Sequence, residues 1–340
     1  MYTGKVESDE HDLRKYDFPL VDIPRLNCMD PQVDELIKSK KPVVLTGSNL
    51  VGAASKWDLD YLEKNMGNGD FTMFVSKGNQ FKFFDEKKLV EMDSVSGAHI
   101  KNRPRKEYIR PAKRCTIKIQ DFAKRIREWK DGDERIYLQQ ALNSTSGASV
   151  VQDFIRFRWD WVTAKQKLHN WGKLTYNLLL VGLQGNVTPC HYDEQENLFA
   201  QIHGHKRCIL FPPEQFGCLY PHPVWHPHDR QSQVDLDNPD YERFPKMRDL
   251  HGFQAVIGPG DVLYIPIYWW HHIESVIPEK YTVSLNFWYK AGPVGEVEYP
   301  IKGYQKVAIM RNVEKMLAEA MQDPEEVGEL LRTMVEGRFS

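Results

Sequence analysis

Long apolar runs are missing from this chain. No stretch approaches the roughly 18 residues that a membrane-spanning helix needs, so no span is expected. An excess of one charge sign is missing too. A formal net charge of −2 over 340 residues gives no general pull toward nucleic acid or an anionic bilayer. Cysteine is scarce. Cys28, Cys115, Cys190, Cys208 and Cys218 form no CxxC pair and no even framework, which excludes a disulfide scaffold and predicts reduced thiols. The opening Met-Tyr-Thr-Gly and the mixed charge after it lack the pattern of a secretory signal. Internal repeats and low-complexity tracts are also lacking. The expectation is a soluble protein of the cytoplasm, the nucleus or both.

What is present is an ordinary globular mixture, 41% hydrophobic and 27% charged, long enough to bury a sizeable core. Aromatic residues make up 12%, with nine Trp, and point to an interior or cleft lined with rings. One local bias stands out. Lys101–Arg114 carries Lys101, Arg103, Arg105, Lys106, Arg110, Lys113 and Arg114 against Glu107. A solvated loop is the plain explanation; nucleic-acid contact is the alternative.

Along the chain, Pro42–Gly47 predicts a buried strand stopped by Gly. Lys56–Asn65 predicts a helix with Ser55 as its N-cap. Phe71–Ser76 and Phe81–Phe84 look like paired strands. In Ile117–Lys130, Ile119, Phe122, Ile126 and Trp129 recur at helical spacing. From about residue 135 the texture becomes β. Strands are predicted over Arg135–Gln140, Tyr176–Gly182, Asn197–Gly204, Lys206–Phe211, Phe253–Gly258, Asp261–Pro266, His272–Ile277 and Tyr281–Tyr289, with frequent Gly and Pro turns between. This is the pattern of a jelly-roll or cupin barrel. The Pro-rich Phe216–Asp249 is long for a structureless connection, and such loops commonly form lids or binding surfaces. At the C-terminal end, Val307, Met310, Val313, Leu317 and Ala320 form one helical stripe. Asp323-Pro324 opens a second helix bearing Val327, Leu330, Leu331 and Met334. The pair could pack on its own barrel or on another subunit.

The chemistry gathers in Gly185–Pro213. His191 and Asp193 are two apart, so on an extended strand both side chains face the same way. A third ligand could come from Tyr268–Ser275, which contains His271 and His272. Two histidines and a carboxylate with open positions opposite suit non-haem Fe(II). Alternation sends His271 and His272 to opposite faces, so only one can be a ligand, and alternation alone does not choose. HxD is common on surfaces; the later His after Gly258-Pro259-Gly260-Asp261 strengthens it. A dicarboxylate cosubstrate would need a cation and hydroxyls. Lys206 opens a strand beside Cys208, Ile209 and Leu210, Thr188 precedes His191 by three, and Tyr137 offers another hydroxyl. Each has a plain alternative: a strand-end Lys reaching solvent, a turn residue, a core ring.

At these blocks, with Leu219–Pro245, Gly258–Lys290 and Gln305–Leu317, the chain resembles the JmjC-type Fe(II)/2-oxoglutarate oxygenases, specifically the factor inhibiting HIF family of asparaginyl hydroxylases. The likeness runs from about residue 134 to the end and is weaker from about Phe18. It implies a double-stranded β-helix (the cupin jelly roll, JmjC) over residues 131–300. An N-terminal α/β elaboration over 1–130 and a dimerising helical pair over 301–340 would flank it. It implies Fe(II) on His191, Asp193 and His271. It also implies 2-oxoglutarate held by Lys206, Thr188 and Tyr137 in a pocket lined by Asn197 and Asn286, with O2 as second cosubstrate. Gln139, Arg230, Gln231 and Trp288 would contact a substrate asparagine, whose amide Gln231 can match with one donor and one acceptor. Val307, Met310, Val313, Leu317 and Leu331 would dimerise. Family substrates are a transactivation segment of hypoxia-inducible factor and ankyrin-repeat proteins, so oxygen sensing is implied.

The chain departs from that family at Phe81–Phe84, where tyrosines are expected, at Cys190, where a smaller residue is usual, and at His226 and His228. Other readings are a JmjC lysine demethylase, a His or Asp hydroxylase, and a metal-binding cupin without catalysis. The full set of ligands and Lys206 argues against the last.

Overall fold

Alternation decides which way each strand of this protein faces, and the two resulting apolar faces enclose the site. The computed structural model describes residues 13–90, 108–142, 146–276, 280–293, 297 and 299–338. Residues 101–107 of the basic run therefore lie outside the described residues. In chain order the elements begin with β1 (Leu20–Asp22), β2 (Arg25–Asn27), α1 (Pro31–Lys38), β3 (Val43–Thr46), α2 (Leu59–Asn65), β4 (Phe71–Ser76), β5 (Lys113–Ile117) and α3 (Ile119–Glu128). There follow β6 (Arg135–Ala141), α4 (Ala148–Ile155), α5 (Trp159–Leu168), β7 (Leu174–Leu183), β8 (Val187–Tyr192), β9 (Gln195–His203) and β10 (Lys206–Phe211). The last are β11 (Gly252–Ile257), β12 (Val262–Ile265), β13 (Trp270–Ser275), β14 (Tyr281–Lys290), α6 (Gly303–Met321) and α7 (Pro324–Val335).

The strands form two sheets, in the orders β1-β11-β10-β13-β8 and β2-β3-β12-β9-β14-β7-β6-β4-β5. This is the expected cupin jelly roll, mostly β with helical additions. Strands from before residue 130 belong to both sheets, since β1 pairs with β11 and β3 with β12. Between the sheets lie Tyr137, Leu180, Phe199, Cys208, Leu210, Leu263, Ile265 and Ile273. The opposite residues of the same strands, such as Leu138, Leu179, Leu198, Leu285 and Phe287, pack outward against the helices around Ile37, Trp57, Phe122 and Trp161. On the other outer face, Ile209, Phe211 and Trp270 pack under the Pro-rich loop with Val234, Leu236 and Phe244. The inner strands, such as β9, β10 and β14, are thus buried on both faces.

Several expectations change. Helix α2 starts three residues later than predicted, because the Asp58 side chain accepts from the Tyr61 N–H and caps it. Ser55 instead closes a short 3-10 turn. A cap of this kind contributes about 1 kcal/mol. Phe81–Phe84 is not a strand: β4 pairs with β5 and β6, and only Gln80 bridges to Val187. Ile117 belongs to β5, not to the helix after it. Val307 is 1% exposed and packs with the outer-face core, so it is not part of an open dimerisation face.

Candidate metal centre and cosubstrate cavity

Along β13 the adjacent histidines face opposite ways, and His271 is the one beside His191 and Asp193. His271 and Ile273 point between the sheets, while Trp270, His272 and Glu274 point outward. His271 pairs across the sheet with His191 of β8. Asp193 follows that strand at once. The ligand atoms of His191, Asp193 and His271 lie within 4.8 Å of one another. The imidazole centroids are 4.1 Å apart, and His271 Nε2 is 3.7 Å from Asp193 Oδ2.

Both imidazoles are held in one tautomer by backbone carbonyls. His191 Nδ1 donates to Pro189 O at 2.9 Å, and His271 Nδ1 to Trp269 O at 3.0 Å. Each Nε2 is left with its lone pair. Burial pushes the His191 imidazolium down to about 3, helped by neighbouring His271. Burial also lowers His271. For Asp193 burial acts upward, but His191, His271 and Arg230 and the Trp288 hydrogen bond hold it below the usual carboxylate range. The donor set is therefore two neutral nitrogens and one carboxylate, which fits a divalent iron with open positions. Arg230 Nη1 reaches Asp193 Oδ1 at 3.1 Å, and Trp288 Nε1 donates to Oδ2 at 3.1 Å.

Among the described residues one other cluster could hold an ion, Asp237, His272 and Glu274 on the outer face. Arg14 sits 2.8 Å from Asp237, Arg207 is 3.7 Å from Glu274, and Tyr16 donates to Glu274, so cations of the protein already fill that place.

The triad opens on a cavity of about 370 Å³ between the sheets. Every expected site residue lines it: Tyr137, Gln139, Thr188, His191, Asp193, Asn197, Lys206, Arg230, Gln231, His271, Asn286 and Trp288. Lys206 is 2% exposed, yet no carboxylate lies within ion-pair distance among the described residues. Its ammonium meets only the Tyr137 hydroxyl at 3.4 Å and the rings of Tyr137 and Phe199. A buried cation left without an anion inside a cavity is the mark of an anion site, because burial is costly until a counter-charge arrives. A dicarboxylate that chelates the metal at one end and meets Lys206 at the other fits it. Asn197 donates to Asn286 Oδ1 at 3.0 Å, while its own Oδ1 has no partner among the described residues. Gly182 makes room for the Tyr137 ring: a Cβ there would stand 2.9 Å from that ring's Cδ2.

Sequence reasoning missed Tyr176, whereas Phe81–Phe84, where the resemblance implies tyrosines, is expected near the cleft mouth, and Phe81, Lys82 and Phe83 do line the cavity. Phe83 and Tyr176, 49% and 60% exposed, form an aromatic rim at the mouth. Tyr176 lies near the start of β7, an interior strand, and nothing local in the chain marks it as lining the cavity. Lys82 lines the cavity and donates to Ser232 O at 2.8 Å. The unexpected His226 and His228 belong to the Pro-rich loop: His226 stacks on His222 at 4.2 Å, and His228 Nδ1 donates to the Phe83 carbonyl at 2.7 Å.

Burial and neighbouring Lys82 push His222 down to about 2; burial pushes His228 down to about 4. These folded values lie below the ordinary 6.5. Above that value both folded and unfolded rings are neutral. As the pH falls from it toward about 4, the unfolded chain takes up protons that the fold refuses, and stability is lost. The urea midpoint should therefore fall between pH of about 7 and about 5, and fall less in His222→Phe. An identical drop in the variant would remove His222 from this account.

A cupin barrel with two histidines, a carboxylate and a buried lysine that has no ion pair among the described residues defines a cavity fitted to a metal ion and an anion. A family model described as "Cupin-like domain" matches residues 30–294, and the chain belongs to that family. It is 25% identical over 285 residues to tRNA wybutosine-synthesizing protein 5 of Gallus gallus, covering 81% of this chain and 79% of that protein. It is 28% identical over 276 residues to lysine-specific demethylase 8 of Danio rerio, covering 80% and 59%. It is 41% identical over 114 residues to HSPB1-associated protein 1 of Bos taurus, a segment that spans 32% of this chain and 23% of that protein.

Proposed function

We propose that this protein is an Fe(II)- and 2-oxoglutarate-dependent oxygenase that β-hydroxylates asparagine in protein substrates. The observation that carries the oxygenase reading is Lys206, buried with no anion beside it among the described residues, in the cavity lined by His191, Asp193 and His271. His191, Asp193 and His271 would hold the iron, with Lys206, Tyr137 and Thr188 at the far carboxylate of 2-oxoglutarate. Bound there, the iron and cosubstrate supply a strong oxidant from O2, with succinate and CO2 as coproducts. The chain's own residues orient the target, keep bulk water out and hold the ligand tautomers.

The amide preference is supported by Gln231. It is 2% exposed, lines the cavity beside His191, and its side-chain amide takes no hydrogen bond among the described residues. Its backbone is pinned instead, the N–H to His228 O at 2.9 Å and the C=O by His222 N–H at 3.0 Å. A held amide facing a cavity matches another primary amide in two hydrogen bonds. An extended segment of a hypoxia-inducible-factor-like transactivation domain or a locally opened ankyrin repeat would suit the aromatic rim.

Purified protein with Fe(II), 2-oxoglutarate and O2 should add one oxygen to asparagine in such peptides, located by tandem mass spectrometry. Oxidation of a histidine or aspartate peptide, or demethylation of a methyl-lysine peptide, with asparagine untouched would keep the oxygenase and discard the amide. A second copy of the chain is the proposed cover for the exposed C-terminal residues Met310, Val313 and Leu331, 43%, 39% and 36% exposed, next to half-buried Leu317. Leu331→Glu should shift the mass in light scattering from dimer to monomer; an unchanged dimer would refute that face.

A further inference from the structure

We propose that Arg311, on the C-terminal helix α6, is a positioning residue that sets the metal-facing carboxylate of Asp193 and the cavity-facing Arg230 together; this rests on the metal-centre reading above. Arg311 is 3% exposed, on a helix whose residues Ile309, Met310 and Val313 are 50%, 43% and 39% exposed. Burying a guanidinium is costly, and arginine is retained where its fork meets several acceptors at once. Here it does. Nη1 and Nη2 grip Asp229 at 2.7 and 3.0 Å, Nε donates to Glu194 at 2.9 Å, and Nη1 also donates to the Tyr192 hydroxyl at 2.8 Å.

These partners bracket the site. Tyr192 and Glu194 are the chain neighbours of Asp193, and Asp229 immediately precedes Arg230. Tyr192 packs in the outer-face core and Glu194 reaches Arg311, while Asp193 between them lines the cavity, so fixing both neighbours fixes the carboxylate between them. Arg230 completes the ring, with Nη1 3.1 Å from Asp193 Oδ1 and its carbonyl accepting from Tyr192 N–H at 3.1 Å. Arg230 has φ +68°, a left-handed conformation that is unfavourable for a non-glycine residue. Such a conformation persists only where neighbours hold it. The holding neighbour is Asp229, clamped by Arg311 and by Lys88 at 2.6 Å. One guanidinium thus spans the metal carboxylate from both sides and the strained residue opposite it. Lysine keeps the charge but cannot reach Asp229, Glu194 and Tyr192 together.

The test is a Co2+ titration of the full chain, read by the visible absorption of the bound ion, in Arg311→Lys and Arg311→Met. Groups that orient metal ligands change affinity about 10- to 100-fold, so the Co2+ Kd should rise by that factor in both. The KM for the peptide should rise as well, and 2-oxoglutarate consumed without peptide hydroxylation should increase. Lys315→Ala, an exposed neighbour 3.5 Å from Glu194, should leave the Kd unchanged. If Arg311→Met does not fold, Arg311→Lys and the double change Arg311→Met with Asp229→Asn, which also removes a buried carboxylate, carry the same readout. A cooperatively melting variant with wild-type Co2+ Kd and spectrum overturns the inference. Wild-type protein that takes up no Co2+, or Asp193→Ala protein that still takes it up, overturns the metal-centre reading and this inference with it.

Discussion

Asp193→Ala is expected to leave a folded protein that neither binds Fe(II) measurably nor turns over 2-oxoglutarate. Asp193 is the only charged donor of the triad, and the two imidazoles are neutral, so its loss removes the whole ligand charge. Changes in groups that merely orient ligands cost about 10- to 100-fold in metal affinity, and loss of a ligand should exceed that. The fold should survive, because the Arg230 side chain released from Asp193 is already 28% exposed and can reach water. The same experiment separates the adjacent histidines. His271→Ala should behave like Asp193→Ala. His272→Ala should keep metal uptake, since His272 faces Tyr16 and Glu274 on the outer surface. Metal uptake lost in His272→Ala and kept in His271→Ala would contradict the strand register.

Lys206→Met should stabilise the protein while damaging its cosubstrate site. Methionine fills a similar volume and needs no counter-charge. An uncompensated buried polar group costs about 1–3 kcal/mol, so without cosubstrate the thermal midpoint should rise. A hydrogen bond to a charged group contributes about 1.5–3 kcal/mol, so the KM for 2-oxoglutarate should rise about 10- to 100-fold. Opposite signs in the two measurements are the signature of a residue kept for binding rather than for folding. A lower midpoint with an unchanged KM would show that Lys206 serves the core and that the far carboxylate lies elsewhere.

The barrel was legible in the chain because strands such as Lys206–Phe211 and Tyr281–Lys290 combine β-branched and aromatic residues with turn signals at their ends. The convergence of His191 and Asp193 was legible from spacing alone. The choice of His271 was not, since it depends on how β13 registers against β8 and β10, a long-range fact. Three-residue β1 and β2 are too short to carry a period, and α4 and α5 lie where a broadly apolar texture blurs the helical one. Phe81–Phe84 has strand composition, but β5 takes the place beside β4, and only Gln80 bridges to the β8 edge of the other sheet. The C-terminal stripe was read for its apolar residues. Arg311, among them, offered the missed signal: a lone guanidinium set into an apolar helix face.

The central claim is that one cavity binds Fe(II) through His191, Asp193 and His271 and 2-oxoglutarate through Lys206. Anaerobic titration of the protein with Fe(II) and then 2-oxoglutarate tests it most directly. The account predicts a visible charge-transfer band that needs both additions, is absent in Asp193→Ala, and requires about 10- to 100-fold more 2-oxoglutarate in Lys206→Met. No band in the wild type, or an undiminished band in Asp193→Ala, would contradict it.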